Sequence, residues 1–140
     1  MIDKPMYNSE GYPDPTAWKG IQNAERSARK STFRPLVYIC SPFSGDTERN
    51  SIRARQFSRF AVDSNCIPLA PHLLLPQYMS EEEERDLVMF MDLVLMGKCQ
   101  EVWVLGPTIT TGMSMEIERA KKRRQTVRYF DEEFREVEHV

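Results

Sequence analysis

Four short apolar runs separated by stretches of helical periodicity set the plan of the chain. The runs Pro35–Cys40, Cys66–Ala70, Glu101–Leu105 and Thr126–Phe130 read as short buried strands. The first helical stretch reaches about Ser64, with Ile52, Phe57, Phe60 and Ala61 as its expected core contacts. In the second, Ser80 and Glu83 have the spacing of a capping box, and Leu87, Phe90, Met91, Val94 and Leu95 form the apolar stripe. The third begins near Gly112 and carries Met113, Ile117 and Ala120 at i, i+4 and i+7. Pro71 to Gln77 is expected to be a loop. Ahead of all of these, Asp14 and Pro15 read as N-cap and N1 of a helix that runs to about Lys30.

Alternation of short strands and helices predicts an α/β domain: a doubly wound, flavodoxin- or Rossmann-like parallel sheet with helices on both faces. Right-handed crossovers favour the strand order 2-1-3-4. Two segments follow: an N-terminal extension with one helix over residues 1–32, and the α/β domain over 33–140. The extension has little apolar content beyond Trp18 and Ile21, so it is expected to pack on the domain or on a neighbouring subunit. The acidic tail 131–140 is expected to add a last helical turn or to fray. In the order 2-1-3-4 the chain leaves strands one and three in opposite directions, and ligands bind at such a switch point, outside the carboxyl ends of the strands.

Composition adds mainly exclusions. At 140 residues, 41% hydrophobic and 29% charged, the chain is an ordinary globular domain with room for a core. A net charge of -2 gives no electrostatic case for a nucleic-acid polymer or an anionic membrane as partner. The basic run Lys121 to Arg124 closes a helix, where cations complement the dipole. There is no apolar run of membrane-spanning length and no signal-peptide pattern at the N-terminus, which points to a cytoplasmic protein. Cys40, Cys66 and Cys99 are unpatterned and read as reduced, buried small hydrophobes. His72 and His139 add too few ligands for a metal site, and no cofactor is expected.

The candidate chemistry lies in two carboxylates. Glu116 falls at i+3 on the stripe of Met113 and Ile117, whereas Glu118, Arg119, Lys121 and Lys122 face water. An inward carboxylate near a helix N-terminus is desolvated, yet the dipole and free N–H groups are expected to keep it ionised. The plainer reading is that Glu is favoured in a first helical turn. Asp92 lies in the most apolar stretch, Leu87 to Met96, where it either ionises against partners, holds a proton, or caps a neighbouring loop. Together the two suggest a carboxyl pair with split roles, one nucleophilic and one exchanging protons, as glycosidic bond cleavage requires. The loop Ser41-Pro42-Phe43-Ser44-Gly45-Asp46 offers small residues and hydroxyls at a helix start, a cradle for phosphate or ribose. It lacks the glycine spacing of a dinucleotide fingerprint or a P-loop. Thr108, Thr110 and Thr111 add hydroxyls on the facing loop, and Phe43 is placed to stack on a base or simply to pack.

Three elements in order resemble the nucleoside 2-deoxyribosyltransferase superfamily, nearest an uncharacterised bacterial and phage branch beside its nucleoside-monophosphate N-glycosidases. They are Val37-Tyr38-Ile39-Cys40-Ser41-Pro42-Phe43, Met91-Asp92-Leu93 and Gly112-Met113-Ser114-Met115-Glu116, and the resemblance spans about residues 34–130. It implies cleavage or transfer at the N-glycosidic bond of a nucleoside or nucleoside monophosphate, without metal or redox cofactor, in a homo-oligomer. Carried onto this chain, Glu116 is the nucleophile that forms a glycosyl-enzyme, Tyr38 holds its carboxylate, and Asp92 manages the proton on the departing base. His72 borders the base pocket, and the residues of Ser41 to Gly45 with Thr110, Thr111 and Gly112 contact the substrate. Thr110 stands where the transferases carry Asp and the monophosphate hydrolases a phosphate-contacting Ser. A hydroxyl can donate to phosphate but cannot do the acid's work, which favours a nucleotide. The Ser41-Pro42 loop lacks the Gly and Arg of the hydrolases, so the phosphate would need Arg49, Arg53 or a neighbouring subunit. The alternative function is a nucleotide-binding sensor module without catalysis.

Overall fold

A computed structural model describes residues 15–30 and 33–138 of the chain, which divides into two compact units, residues 1–33 and 34–140. In the first unit the described element is helix α1, Pro15–Lys30. It begins at the proline whose fixed φ suits a first helical position. Asp14, its expected cap, lies outside the described residues.

The second unit is built on a five-stranded sheet of order β2-β1-β3-β4-β5. Strands β1 (Leu36–Cys40), β2 (Ile67–Leu69), β3 (Glu101–Leu105) and β4 (Thr126–Phe130) pair in parallel in the expected order 2-1-3-4. The fifth strand was not foreseen. β5, Glu136–Val137, pairs antiparallel with β4 where a helical turn or a frayed end was expected. The reversal is fixed locally: the Asp131 carboxylate accepts from the backbone N–H groups of Glu133 and Arg135, both at 2.9 Å, and Phe134 takes φ 63°. Arg128 then clamps the new strand with two bonds to Glu136, at 2.9 and 2.7 Å. An acidic composition reads as solvated tail, but a bidentate arginine partner on the adjacent strand converts it into a sheet edge.

Alternation along β1 divides the core. Tyr38 and Cys40 face one layer with Met96 of helix α4 (Arg85–Gly97) and Met113, Ile117 and Ala120 of helix α5 (Thr111–Lys122). Val37 and Ile39 face the other, with Phe57 and Ala61 of helix α2 (Thr47–Asp63) and Trp103, Leu105 and Phe130 of the sheet. The second layer is aromatic: Phe57 touches Phe60, Trp103, Phe130 and Phe134 at centroid distances of 5.3 to 6.2 Å.

Four local expectations need correction. In α2, Ala54 is buried and Ile52 is 41% exposed, the reverse of the expected contact. In α4 the inward stripe is Val88, Asp92 and Met96, while Leu87, Phe90 and Val94 of the expected stripe are exposed. This helix is apolar on two faces, so periodicity alone does not say which one turns inward. Its start also moves. The Ser80 hydroxyl accepts from Glu83 N–H, but Glu84, not Glu83, returns the bond to the Ser80 N–H, and α4 begins at Arg85. Pro71–Leu74, expected as loop, forms the short helix α3 and runs into a 3-10 turn over Leu75–Gln77.

Phe57→Ala is expected to destabilise the fold by about 3–5 kcal/mol, because it empties the centre of the aromatic layer. Phe90→Ser on the exposed face of α4 should change stability by less than about 0.5 kcal/mol. Urea denaturation of the two variants checks both; equal losses would contradict the orientation of α4.

Candidate functional site

The loops that leave β1 and β3 open a cleft of about 540 Å³ at the carboxyl ends of the two strands. Its floor and walls come from four places: the β1–α2 loop, α3, the start of α4 and the start of α5. After β1, Ser41 is buried and turns into the cleft, followed by Phe43, Ser44 and Gly45. Gly45 has φ 95°, a conformation that side chains rarely adopt, and it turns the chain into the Asp46 N-cap of α2. The Asp46 carboxylate accepts from Arg49 N–H at 3.1 Å.

Glu116 is 1% exposed and Asp92 2% exposed, and both line this one cleft. Glu116 shares its inward stripe with Met113, Ile117 and Ala120, as its spacing predicts. Tyr38 is fully buried on β1, on the layer that α4 and α5 cover, and close enough for its hydroxyl to favour the Glu116 carboxylate. The two groups miss strict hydrogen-bond geometry: Tyr38 Oη and Glu116 Oε2 are both buried without a partner. Ser41 Oγ and Asp92 Oδ1 are in the same condition. For Asp92 this argues against the loop-capping alternative, since a capping oxygen would be bonded.

Burial dominates the electrostatics. It pushes Glu116 up to about 8, with Asp92 and Glu81 adding repulsion and the Tyr38 hydroxyl opposing. Burial likewise raises Asp92 to about 7, with Glu81 adding to it. The Tyr38 hydroxyl is held protonated by burial and by the negative charge of Glu116 and Asp92. Asp92 adds to the shift of Glu116, and because such repulsion is mutual, ionising either carboxyl disfavours ionising the other. Burial therefore outweighs the helix start that was expected to keep Glu116 ionised. The reason lies in the cap. Thr110 Oγ1 accepts from Met113 N–H at 3.2 Å, and Thr110 O accepts from Ser114 N–H at 2.9 Å. The cap takes Met113 N–H, and Glu116, the sixth residue of α5, sits a turn deeper, beyond the strong part of the dipole.

His72 on α3 stacks on Phe43, with ring centroids 5.0 Å apart and planes at 26°, and both rings line the cleft. Burial lowers His72 to about 4, so its imidazole is neutral at physiological pH. Thr110 and Gly112 also line the cleft. Two predicted contacts do not. Pro42 turns to an adjoining hollow beside Gly106 and Pro107, because the alternation that buries Ser41 points its neighbour the other way. Thr111 is exposed, since it follows the cap as the first helical residue and faces outward.

Sequence reasoning missed Thr47, Glu81, Glu82, Arg85, Val88 and Met89. Val88, Met89 and Arg85 precede Asp92 by four, three and seven residues, so helical spacing from Asp92 would have found them. Glu81 and Glu82 lie in the turn before α4 and carry no such signal. Among the described residues no group of three or more His, Cys, Asp or Glu side chains is placed to hold a metal ion. No described helix is long and apolar enough to cross a membrane.

Fold and cleft define a doubly wound α/β domain with paired carboxyls at its switch point. Residues 35–130 match a family described as a domain of unknown function, DUF7768, and the chain belongs to that family. No curated protein matches it.

The raised carboxyls fix how stability depends on pH. A carboxyl whose folded value lies above its unfolded value of about 4 binds more protons folded than unfolded, so its contribution is intact below pH 4 and is lost as pH rises towards 8. Glu116→Gln is expected to raise the thermal midpoint by at least about 4 °C at pH 8.5 and to leave it nearly unchanged at pH 4. Calorimetry at the two pH values checks this; a loss of stability at pH 8.5 would mean the carboxylate is satisfied in the folded state.

Proposed function

We propose that the protein cleaves or transfers the N-glycosidic bond of a nucleoside or nucleoside monophosphate through a covalent glycosyl-enzyme on Glu116. The observation that carries this reading is a pair of buried, unpartnered carboxyls, Glu116 and Asp92, in one cleft at the switch point. The resemblance of the Tyr38, Asp92 and Gly112–Glu116 segments to the nucleoside 2-deoxyribosyltransferase superfamily supports it from the sequence side.

In this mechanism the pair holds a single proton, which rests on Glu116, the group with the higher value, and passes to Asp92 as substrate binds, leaving Glu116 ionised. The Glu116 carboxylate attacks the anomeric carbon while the bond from that carbon to the base nitrogen breaks. The base leaves with the bonding electrons and takes the Asp92 proton. Tyr38, kept protonated by its surroundings, donates to the Glu116 carboxyl and aims it. Water or a second base then attacks the same carbon and releases Glu116, and the Asp92 carboxylate accepts the proton that the water or the incoming base gives up. The Phe43–His72 pair forms an aromatic wall suited to a base. A homo-oligomer and a cytoplasmic setting belong to the same reading.

Thr110, whose hydroxyl oxygen caps α5 where the transferases carry an acid, favours a second reading: nucleotide binding without turnover. The two readings separate by product. Incubation with the common deoxynucleosides and their monophosphates should release free base, seen by chromatography, or a new nucleoside when an acceptor base is added. Glu116→Ala should lower kcat by at least about 10³-fold, and Tyr38→Phe by roughly tenfold. Saturable binding with no product, unchanged in Glu116→Gln, would instead establish the binding module.

A further inference from the structure

The charge lining the cleft bears on which ligand it takes. Glu81 and Glu82 line its edge and the buried carboxyls Asp92 and Glu116, which ionise only as pH nears their raised values, line its floor, against one cation among the described lining residues, Arg85. His72 adds no positive charge near neutral pH, because burial keeps its imidazole neutral. Glu81 acts on both Asp92 and Glu116, so charge at the edge of the cleft is felt at its floor. At that floor Ser41 Oγ, Asp92 Oδ1 and Glu116 Oε2 are buried and lack partners. The hydroxyls of a sugar, which both donate and accept, are suited to these groups. A phosphate monoester is not. It carries a charge of about −1.5 to −2 near neutral pH, and like charges repel far more strongly in a partly desolvated cleft than in water.

The adjoining hollow does not change this balance. It meets the cleft at Ser44 and Thr110 and holds Arg49 and Arg53, but also Asp46, Glu132 and Glu133. Arg53 is already engaged: it donates to Gln56 Oε1 at 2.7 Å and to the Glu132 carbonyl, and lies 4.6 Å over the Phe134 ring. Two cations stand there against three acidic side chains, of which Asp46 caps α2 and Glu133 is paired with Arg135.

We propose, resting on the glycosidic reading above, that the ligand is an uncharged nucleoside rather than its 5′-monophosphate, and that Glu81 and Glu82 turn the phosphate away. This reverses the preference for a nucleotide drawn from Thr110 alone. It makes Glu81 and Glu82 specificity-determining residues, outside the bond-breaking pair.

The test compares cleavage of the four common 2′-deoxynucleosides with cleavage of their 5′-monophosphates by the full chain. The same compounds are titrated by calorimetry into the Glu116→Gln variant. At low salt, kcat/KM for a reacting nucleoside should exceed that of its monophosphate by at least about tenfold, and added salt should narrow the gap. The Glu81→Gln, Glu82→Gln double variant should narrow it by at least about threefold by raising the monophosphate's kcat/KM. A wild-type preference for the monophosphate, or a gap unmoved in the double variant, overturns the inference while leaving glycosidic cleavage intact. If nothing is cleaved, tighter calorimetric binding of nucleosides sustains the charge preference and removes the glycosidic reading. Tighter binding of monophosphates, or no binding at all, removes both.

Discussion

The site depends on one costly arrangement: two carboxyl groups withdrawn from water into a single cleft, with no cation paired to either among the described residues. An isolated buried carboxylate is so unfavourable that the group keeps its proton instead. Glu116 and Asp92 are both pushed that way, first by burial and only then by neighbouring charge. A fold that holds such a pair gives up stability as pH rises, in exchange for groups ready to ionise or give up a proton when a ligand arrives. Among the described residues, the Tyr38 hydroxyl favours the charged form of Glu116.

The sheet makes the arrangement possible. Tyr38 and Cys40 point to the layer covered by α4 and α5, and the inward stripes of those helices bring Asp92 and Glu116 there. The chain leaves β1 towards α2 on one face and leaves β3 towards α5 on the other, so the two loops part above the same gap. The aromatic layer around Phe57 lies on the opposite face and gives the sheet a rigid backing. The cleft thus rests on packed strands, and its polar groups need not be held by loops alone.

Much of this was legible in the sequence because burial leaves a periodic trace. The four parallel strands and the inward turn of Glu116 follow from apolar spacing, and the order of those strands from right-handed crossovers. What escaped lies where spacing is ambiguous or where partners are distant. In α4 both faces are apolar, so the stripe through Asp92 could not be told from the one through Phe90. β5 exists because Arg128 reaches Glu136 across the sheet edge, a contact that local composition hides. The helix start does not offset the burial of Glu116 for a geometric reason: this residue lies in the second turn of α5, beyond the cap. Glu81 and Glu82 entered the cleft through an irregular turn, which has no period to read.

The most direct measurement is a carbon-13 NMR titration of the Glu116 and Asp92 side-chain carboxyls in the unliganded protein, assigned by the Glu116→Gln and Asp92→Asn variants. Both resonances should titrate well above the ordinary carboxylate value of about 4, with apparent values near 8 and 7, and each should move down when the other group is removed. Two independent titrations near 4 would mean that water reaches both groups, and the paired-carboxyl account would be wrong.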